Sequence, residues 1–361
     1  MKNFFKVFAV AFLCFSVLLG GGVYAFDKYY HETSYREVKI ALPVKSDKNE
    51  DEKTAAEKKK EKEMAELEEK YGKKNRINVL MAGMEDARTD ALILFSFNLK
   101  DKKLDMISVP RDTYYDRYGY KQLARKKINS VYGYGDGRGE IEGTMKAVSE
   151  VLGVPVHDYI MVDYKAVSEV VDSIGGVDVD IPFNMNYDDK YADPPLHIHF
   201  KKGPAHLDGQ DAIRFLRWRK NNTGLNTGGD VDRIRRQQEF IQLALQKAIN
   251  PTKLPGVINV AFKNTKTSLD LKEALYYGSV AIGMSKDNIN SYTIPGEDKY
   301  VTGAWYFYGD EDKTEELMKA LYKGQKPEYI LKEERLAKEK EEKKANEKVT
   351  ASEEKKKKSS N

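Results

Sequence analysis

An α/β fold is predicted for residues 77–331, a three-layer α/β/α sandwich around a mixed central sheet, preceded by one transmembrane helix. Three observations predict it. Short apolar, β-prone runs alternate with stretches of helical period. Turn residues mark the places where the period changes. Ahead of them lies an uncharged run at residues 7–26, with Lys2 and Lys6 on one side and Asp27 and Lys28 on the other.

At helical rise that uncharged run spans roughly 30 Å, one hydrocarbon core. The preceding lysines keep residues 1–6 in the cytoplasm and put everything after the span outside. A cleaved signal peptide competes, since Val23-Tyr24-Ala25 resembles a small-x-small cleavage site, but the apolar run is longer than such a segment needs. Residues 27–76 follow as an extracytoplasmic stalk rich in Lys and Glu, with too little apolar surface to pack. Residues 332–361 repeat that composition and read as a charged, disordered tail. The single cysteine, Cys14, excludes an intramolecular disulfide framework.

An excess of one in 45–76 and of three in 332–361 accounts for the net charge of +4, so the remaining residues together are neutral. A basic nucleic-acid-binding domain is therefore not supported.

Within the domain, strands are expected at 77–81, 91–97 and 104–109, the last two joined by a Lys/Asp turn at 101–103. A helix at 140–152, a strand at 159–162 and a helix at 166–174 come next. Gly175-Gly176 turns the chain into 177–181, where valines alternate with Asp178 and Asp180. Helices at 207–218, 230–250, 254–262, 271–283 and 313–321 complete the set, with a strand at 289–294.

The richest chemistry lies between Arg217 and Gln238, where Arg217, Arg219, Arg233, Arg235 and Arg236 face only Asp230 and Asp232. The Gly/Asn/Thr run at 221–229 cannot continue a helix, so Asp230 is expected to cap a new one. On that helix Arg233, Arg236 and Gln237 share a face and Arg235 projects elsewhere. Guanidinium forks suit phosphate oxygens, and a helix start adds partial positive charge. Three strand-edge turns offer related groups. Residues 83–90, at the end of the first strand, gather Glu85, Asp86, Arg88 and Asp90, a set suited to Mg²⁺ beside phosphate. Pro110 stops a second strand and presents Arg111, with Asp112 placed to orient it or to cap the next turn. Lys127 opens a third segment. His197 and His199 alternate on one strand face as a metal pair could; with only His206 nearby they are read as a surface or substrate-rim pair, and His31, His157 and His206 as incidental.

The order of GMEDARTD (83–90), SVPRDT (108–113), KIN (127–129), GGVDVDIP (175–182), LDGQDAIRFLRWR (207–219) and GDVDRIRRQQ (229–238) resembles the LytR-CpsA-Psr family. The resemblance runs continuously over about residues 78–250. It implies a membrane-anchored extracytoplasmic enzyme that moves a glycopolymer phosphate from a polyprenyl-pyrophosphate carrier to a peptidoglycan sugar hydroxyl. It also implies pyrophosphate binding by Arg88, Arg111, Lys127, Arg217, Arg219, Arg233, Arg236 and Gln237, with Asp90, Arg111, Arg217 and Arg219 in catalysis. The cofactor implied is Mg²⁺, held by Asp90 and by Glu85 or Asp86. The family usually carries aspartate where Glu85 stands and has a longer loop after it, which leaves the choice between Glu85 and Asp86 open. The alternatives are a non-catalytic binder of polyprenyl pyrophosphate or wall polymer, and a polyprenyl-pyrophosphate hydrolase.

Overall fold

The computed structural model describes residues 75–85, 88–117, 122–133, 140–192, 195–224, 230–332 and 335. The expected segments 1–6, 7–26 and nearly all of 27–76 and 332–361 lie outside the described residues, and among those described no helix is long and apolar enough to cross a membrane.

The strands are β1 (Arg76–Glu85), β2 (Arg88–Asn98), β3 (Lys103–Val109), β4 (Asp158–Val162), β5 (Val177–Ile181), β6 (Met185–Asp189), β7 (Leu196–Phe200), β8 (Gly203–Leu207), β9 (Lys266–Thr267), β10 (Ile289–Thr293), β11 (Gly296–Val301) and β12 (Ala304–Gly309). The helices are α1 (Glu140–Leu152), α2 (Tyr164–Ser173), α3 (Gly209–Arg217), α4 (Asp230–Ala248), α5 (Leu254–Asn264), α6 (Leu271–Ala281) and α7 (Glu311–Tyr322).

The central sheet has the order β10-β3-β2-β1-β4-β9. It is mixed: β1–β2, β2–β3 and β4–β9 are antiparallel, whereas β1–β4 and β3–β10 are parallel. Its side chains alternate between two cores, as the two-residue strand period requires. Leu80, Leu92, Leu94 and Ile107 pack with Val148 and Leu152 of α1 and Leu317 and Leu321 of α7. Ile93, Phe97 and Met106 face the other way, toward Ile241 and Leu245 of α4 and Tyr277 and Val280 of α6. Helices thus cover both faces.

A second core departs from the sequence expectation. The strand at 177–181 does form, but it leaves the central sheet and pairs with β8, while β6 pairs with β7. Ile174, Ile181, Ile198, Phe215, Trp218 and Phe240 fill the space between these two hairpin-like sheets and α2, α3, α4 and α5. Gly175 and Gly176 make the predicted turn with φ of +75° and +72°; a Cβ on Gly176 would also lie 2.4 Å from His206 Nε2, so only glycine fits.

Three boundaries move. Leu207 belongs to β8 rather than to the helix, because Asp208 is the cap, accepting from Asp211 N. Asp230 is already helical instead of capping α4. Arg76, assigned to the stalk, opens β1 with a fully buried side chain: it pairs with Asp105 at 3.3 Å and donates to Ser96 Oγ and Leu321 O, both at 2.9 Å.

Candidate active site

The C-terminal end of β1 and β3 and the start of β2 form the edge where the chemistry collects. Pro110 cannot donate to the ladder and ends β3. The loop it opens is then pinned on several sides. Thr113 N and Oγ1 donate to Pro110 O at 3.0 and 2.6 Å, Asn129 N to Arg111 O at 3.1 Å, and Phe307 N to Asp112 O at 2.9 Å. Arg111 is therefore held by its backbone before any ligand arrives. On the helical side, buried Gln238 donates to Ser108 Oγ at 2.8 Å and Tyr292 O at 2.7 Å, fixing the first turns of α4 against the ends of β3 and β10.

Between these supports lies a cleft lined by Asp90, Arg111, Asp112, Arg233, Gln237 and, from the β11–β12 hairpin, Asp298 and Phe307, among others. Asp90 is its hub. Arg111 Nη1 donates to Asp90 Oδ1, and Arg219 Nη2 lies 3.5 Å from the same oxygen. Burial alone would push the Asp90 carboxyl up, but the guanidiniums of Arg111, Arg233 and Arg219 outweigh it and hold the group below the usual carboxylate range. Three guanidiniums thus act on one carboxylate. Guanidinium groups gathered at a cleft suit the oxygens of a diphosphate.

Of the other predicted residues Gln237 lines the cleft, whereas Arg88, Lys127, Arg217 and Arg236 are not among its lining residues. Lys127 Nζ donates to Asp112 Oδ1 at 2.9 Å, and Asp112 Oδ2 lies 4.0 Å from Arg111 Nε, an ion-pair separation without a hydrogen bond. The guanidinium of Arg217 stacks 4.7 Å from the centroid of Tyr164, whose hydroxyl donates to Glu85 Oε1 at 3.2 Å. Burial and the neighbouring Glu85 carboxylate push the Tyr164 phenol up to about 12, so it stays a donor. Arg236 is buried, donates to Trp218 O and lies over the rings of Trp218 and Phe215; burial and the nearby Arg233 bring it down to about 10. Gln237 lines the cleft and reaches Leu216 O at 3.4 Å. Arg88 is exposed at the start of β2, and Arg235 is exposed and pairs with Asp232, away from its helical neighbours as predicted. Asp86 lies outside the described residues.

Sequence reasoning missed Tyr164, Gln238, Asp298 and Phe307. A signal for the last two was present: Thr302-Gly303 between two β-prone aromatic runs marks a two-residue hairpin, and both residues take positive φ, 49° and 91°. His157, read as incidental, is buried, and its Nδ1 accepts from Asn78 N at 2.8 Å.

Two carboxylates, Asp90 and Glu85, stand at the cleft and beside it, with Tyr164 responding to the charge of both. Such a pair suits Mg²⁺, which is commonly held by one or two carboxylates and completed by substrate oxygens and water.

Comparison with known proteins gives a consistent picture. The LytR_cpsA_psr family matches residues 39–323. The polyisoprenyl-teichoic acid–peptidoglycan teichoic acid transferase TagV of Bacillus subtilis is 31% identical over 69% of this chain, although the match takes in only 64% of that protein's length. The crystal structure of TagV superposes with a TM-score of 0.58, covering 71% of this chain and 100% of that one at 28% identity. The transferase of the same description, TagU of Bacillus anthracis, is 27% identical over 84% of this chain and 92% of its own. A structure of TagT bound to LIIa-WTA matches with a TM-score of 0.54 and 26% identity, over 70% of this chain and 91% of that one.

Proposed function

The chain belongs to the LytR-CpsA-Psr family, and from that premise we propose that it is a membrane-anchored phosphotransferase. It moves a glycopolymer phosphate from a polyprenyl-pyrophosphate carrier to a peptidoglycan sugar hydroxyl and releases polyprenyl phosphate. The observation that carries this reading is the convergence of Arg111, Arg219 and Arg233 on Asp90 at the edge of the sheet. The named activities of TagV and TagU support the same donor and acceptor classes. Residues 7–26 serve as the anchor, which leaves the domain outside the cell as an α/β/α sandwich.

In the proposed reaction the acceptor oxygen attacks the phosphorus bonded to the glycan. The bridging P–O bond breaks, and the polyprenyl phosphate departs with the bridging oxygen. Charge spreads over the non-bridging oxygens as this happens, and Arg111, Arg219 and Arg233 are already placed to meet it, so little reorganisation is needed. The backbone hydrogen bond from Asn129 keeps Arg111 in place, and Tyr164 positions Arg217 and Glu85. The hydroxyl proton passes to a carboxylate near the acceptor oxygen; Asp90 is one candidate, although the arginines that hold its pKa down make it a weak base. Asp90 together with Glu85 or Asp86 would hold Mg²⁺, which would supply Lewis-acid stabilisation of the charge that develops on phosphate oxygens.

The test uses the full-length chain in detergent micelles with a polyprenyl-pyrophosphate-linked glycan, a muropeptide acceptor and Mg²⁺, beside Asp90→Ala. Mg²⁺-dependent appearance of phosphate-linked glycan on the acceptor, abolished by the substitution, is the expected result. Release of polyprenyl phosphate without transfer would make the chain a hydrolase, and tight donor binding without release would make it a carrier; either result withdraws the transferase reading.

A further inference from the structure

The second core ends in a hairpin whose outer face carries donors that the arginine cleft does not use. β6 and β7 run antiparallel, with Asp188 opposite His197 and Asn186 opposite His199. Residues two apart on a strand share a face, so the register brings one carboxylate and two imidazoles together. His197 Nδ1 lies 2.5 Å and His199 Nε2 3.2 Å from the same oxygen, Asp188 Oδ1. One donor atom from each of the three residues falls within 4.8 Å of the other two.

The hairpin is also braced from behind. Asn221 Oδ1 accepts from Asn186 N at 2.7 Å and Asn222 Oδ1 from Asp188 N at 2.8 Å, while Asn222 Nδ2 donates to Asp188 O at 3.0 Å. Asn221 is itself buried and accepts from Trp218 Nε1 at 3.2 Å. The strand that offers the carboxylate is therefore fixed to the segment that follows Arg219.

We propose that Asp188, His197 and His199 form a binding site for a divalent transition-metal ion of the Zn²⁺ class. Two imidazoles and one carboxylate, with a fourth position open to water, are a donor set that such ions accept. Ligands about 2.0–2.2 Å from a tetrahedral ion sit roughly 3.3 Å apart, and the separations present, 2.5 and 3.2 Å to the carboxylate oxygen and all within 4.8 Å, bracket that spacing, so side-chain rotation on an exposed face brings the three donors onto one ion. The ion takes the place of the protons that now link the rings to the carboxylate. Mg²⁺ and Ca²⁺, which prefer oxygen donors, do not fit this set. Once bound, the ion ties β7 to β6 and so, through Asn221 and Asn222, stiffens the chain just beyond Arg219.

The molecule supplies its own control. On the neighbouring β5–β8 pair, His206, as exposed as His197, has its Nδ1 2.6 Å from Asp178 Oδ1, but among the described residues no second imidazole joins them and Lys247 lies 3.8 Å from Asp178 Oδ2 instead. A His–Asp contact alone should not hold the ion.

The experiment is calorimetric titration of the full-length chain in micelles with ZnCl₂ and, separately, MgCl₂, beside His197→Ala, His199→Ala, His206→Ala and Asp90→Ala. One Zn²⁺ should bind. Loss of either His197 or His199 should weaken it about tenfold or more, by the scale on which metal sites respond to altered ligand shells, while His206→Ala and Asp90→Ala leave it unchanged. Zn²⁺ should also raise the melting temperature of the wild type but not of the His197→Ala/His199→Ala double variant. Equal Zn²⁺ affinity in that folded double variant, or no Zn²⁺ binding by the wild type, overturns the proposal. Loss of Zn²⁺ binding in Asp90→Ala also overturns it by moving the ion to the arginine cleft, a result that would leave the transferase reading intact.

Discussion

The same three strands carry two arginine–aspartate pairs, one at each end, and the two are built on opposite plans. At one end Arg76 and Asp105 are fully buried, with the arginine also bonded to Ser96 and Leu321 O and the aspartate to Asn290 Nδ2 at 3.1 Å. Charge is balanced there, and protein groups supply the partners. At the other end Asp90 and Arg111 keep about a fifth of their side-chain surface, and Arg219 and Arg233 also act on the Asp90 carboxylate beside an open cleft. The first arrangement serves the fold. The second is partly exposed and gathers several arginines on a cleft, and that openness marks it as a site.

The pKa directions record the same contrast. Burial dominates at Asp105 and pushes its carboxyl above the usual range, while at Asp90 the surrounding arginines win and hold it below.

Substitutions at the two ends should separate activity from stability. Arg111→Ala should lower transfer by about 10²- to 10³-fold, the scale of losing a positioned transition-state donor, while the urea midpoint moves little, since a partly solvated pair contributes little to stability. Arg76→Ala should do the reverse: it leaves Asp105 buried without its cation and should destabilise the domain by about 3–5 kcal/mol, with the specific activity of the folded fraction unchanged. If Arg76→Ala abolished transfer at full stability, the division between the two ends would fail.

A smaller effect sharpens the buried end. Because the folded-state pKa of Asp105 is raised, the folded chain binds that proton more tightly than the unfolded chain. The stability this group contributes is present at low pH and is lost as pH rises from the ordinary carboxylate value through the raised one. Asp105→Asn should remove that descending component from urea midpoints measured across the acidic range; an unaltered slope would refute the assignment. At the open end, Arg219→Ala should cost about tenfold in transfer, or ~1.4 kcal/mol, because its guanidinium is half exposed and its contact with Asp90 is long. Arg235→Ala, with its exposed partner Asp232, should change stability by less than about 0.5 kcal/mol and leave transfer untouched.

Local chemistry made much of this legible in the sequence. A proline ending an apolar run placed Arg111 at the edge of the sheet, and helical spacing put Arg233 and Arg236 on one face and Arg235 on another. The alternation in 177–181 gave a strand, but periodicity says nothing about its partner, and the second core went unseen. Tyr164 and Gln238 were hidden for a related reason. Each acts through partners 53 to 130 positions away in the chain, Glu85 and Arg217 for the tyrosine and Ser108 and Tyr292 for the glutamine, which only the topology brings near. The histidine pair was visible, but Asp188, which turns it into a three-donor cluster, comes from the opposite strand.

One measurement bears most directly on the claim that the open, arginine-lined end is the catalytic one: release of polyprenyl phosphate from a polyprenyl-pyrophosphate-linked glycan by the full-length chain and by Arg111→Ala and Arg76→Ala, each normalised to its folded fraction. Wild-type release retained by Arg76→Ala and lost by Arg111→Ala is the predicted result. Equal release by wild type and Arg111→Ala would contradict the account and move the chemistry away from Asp90.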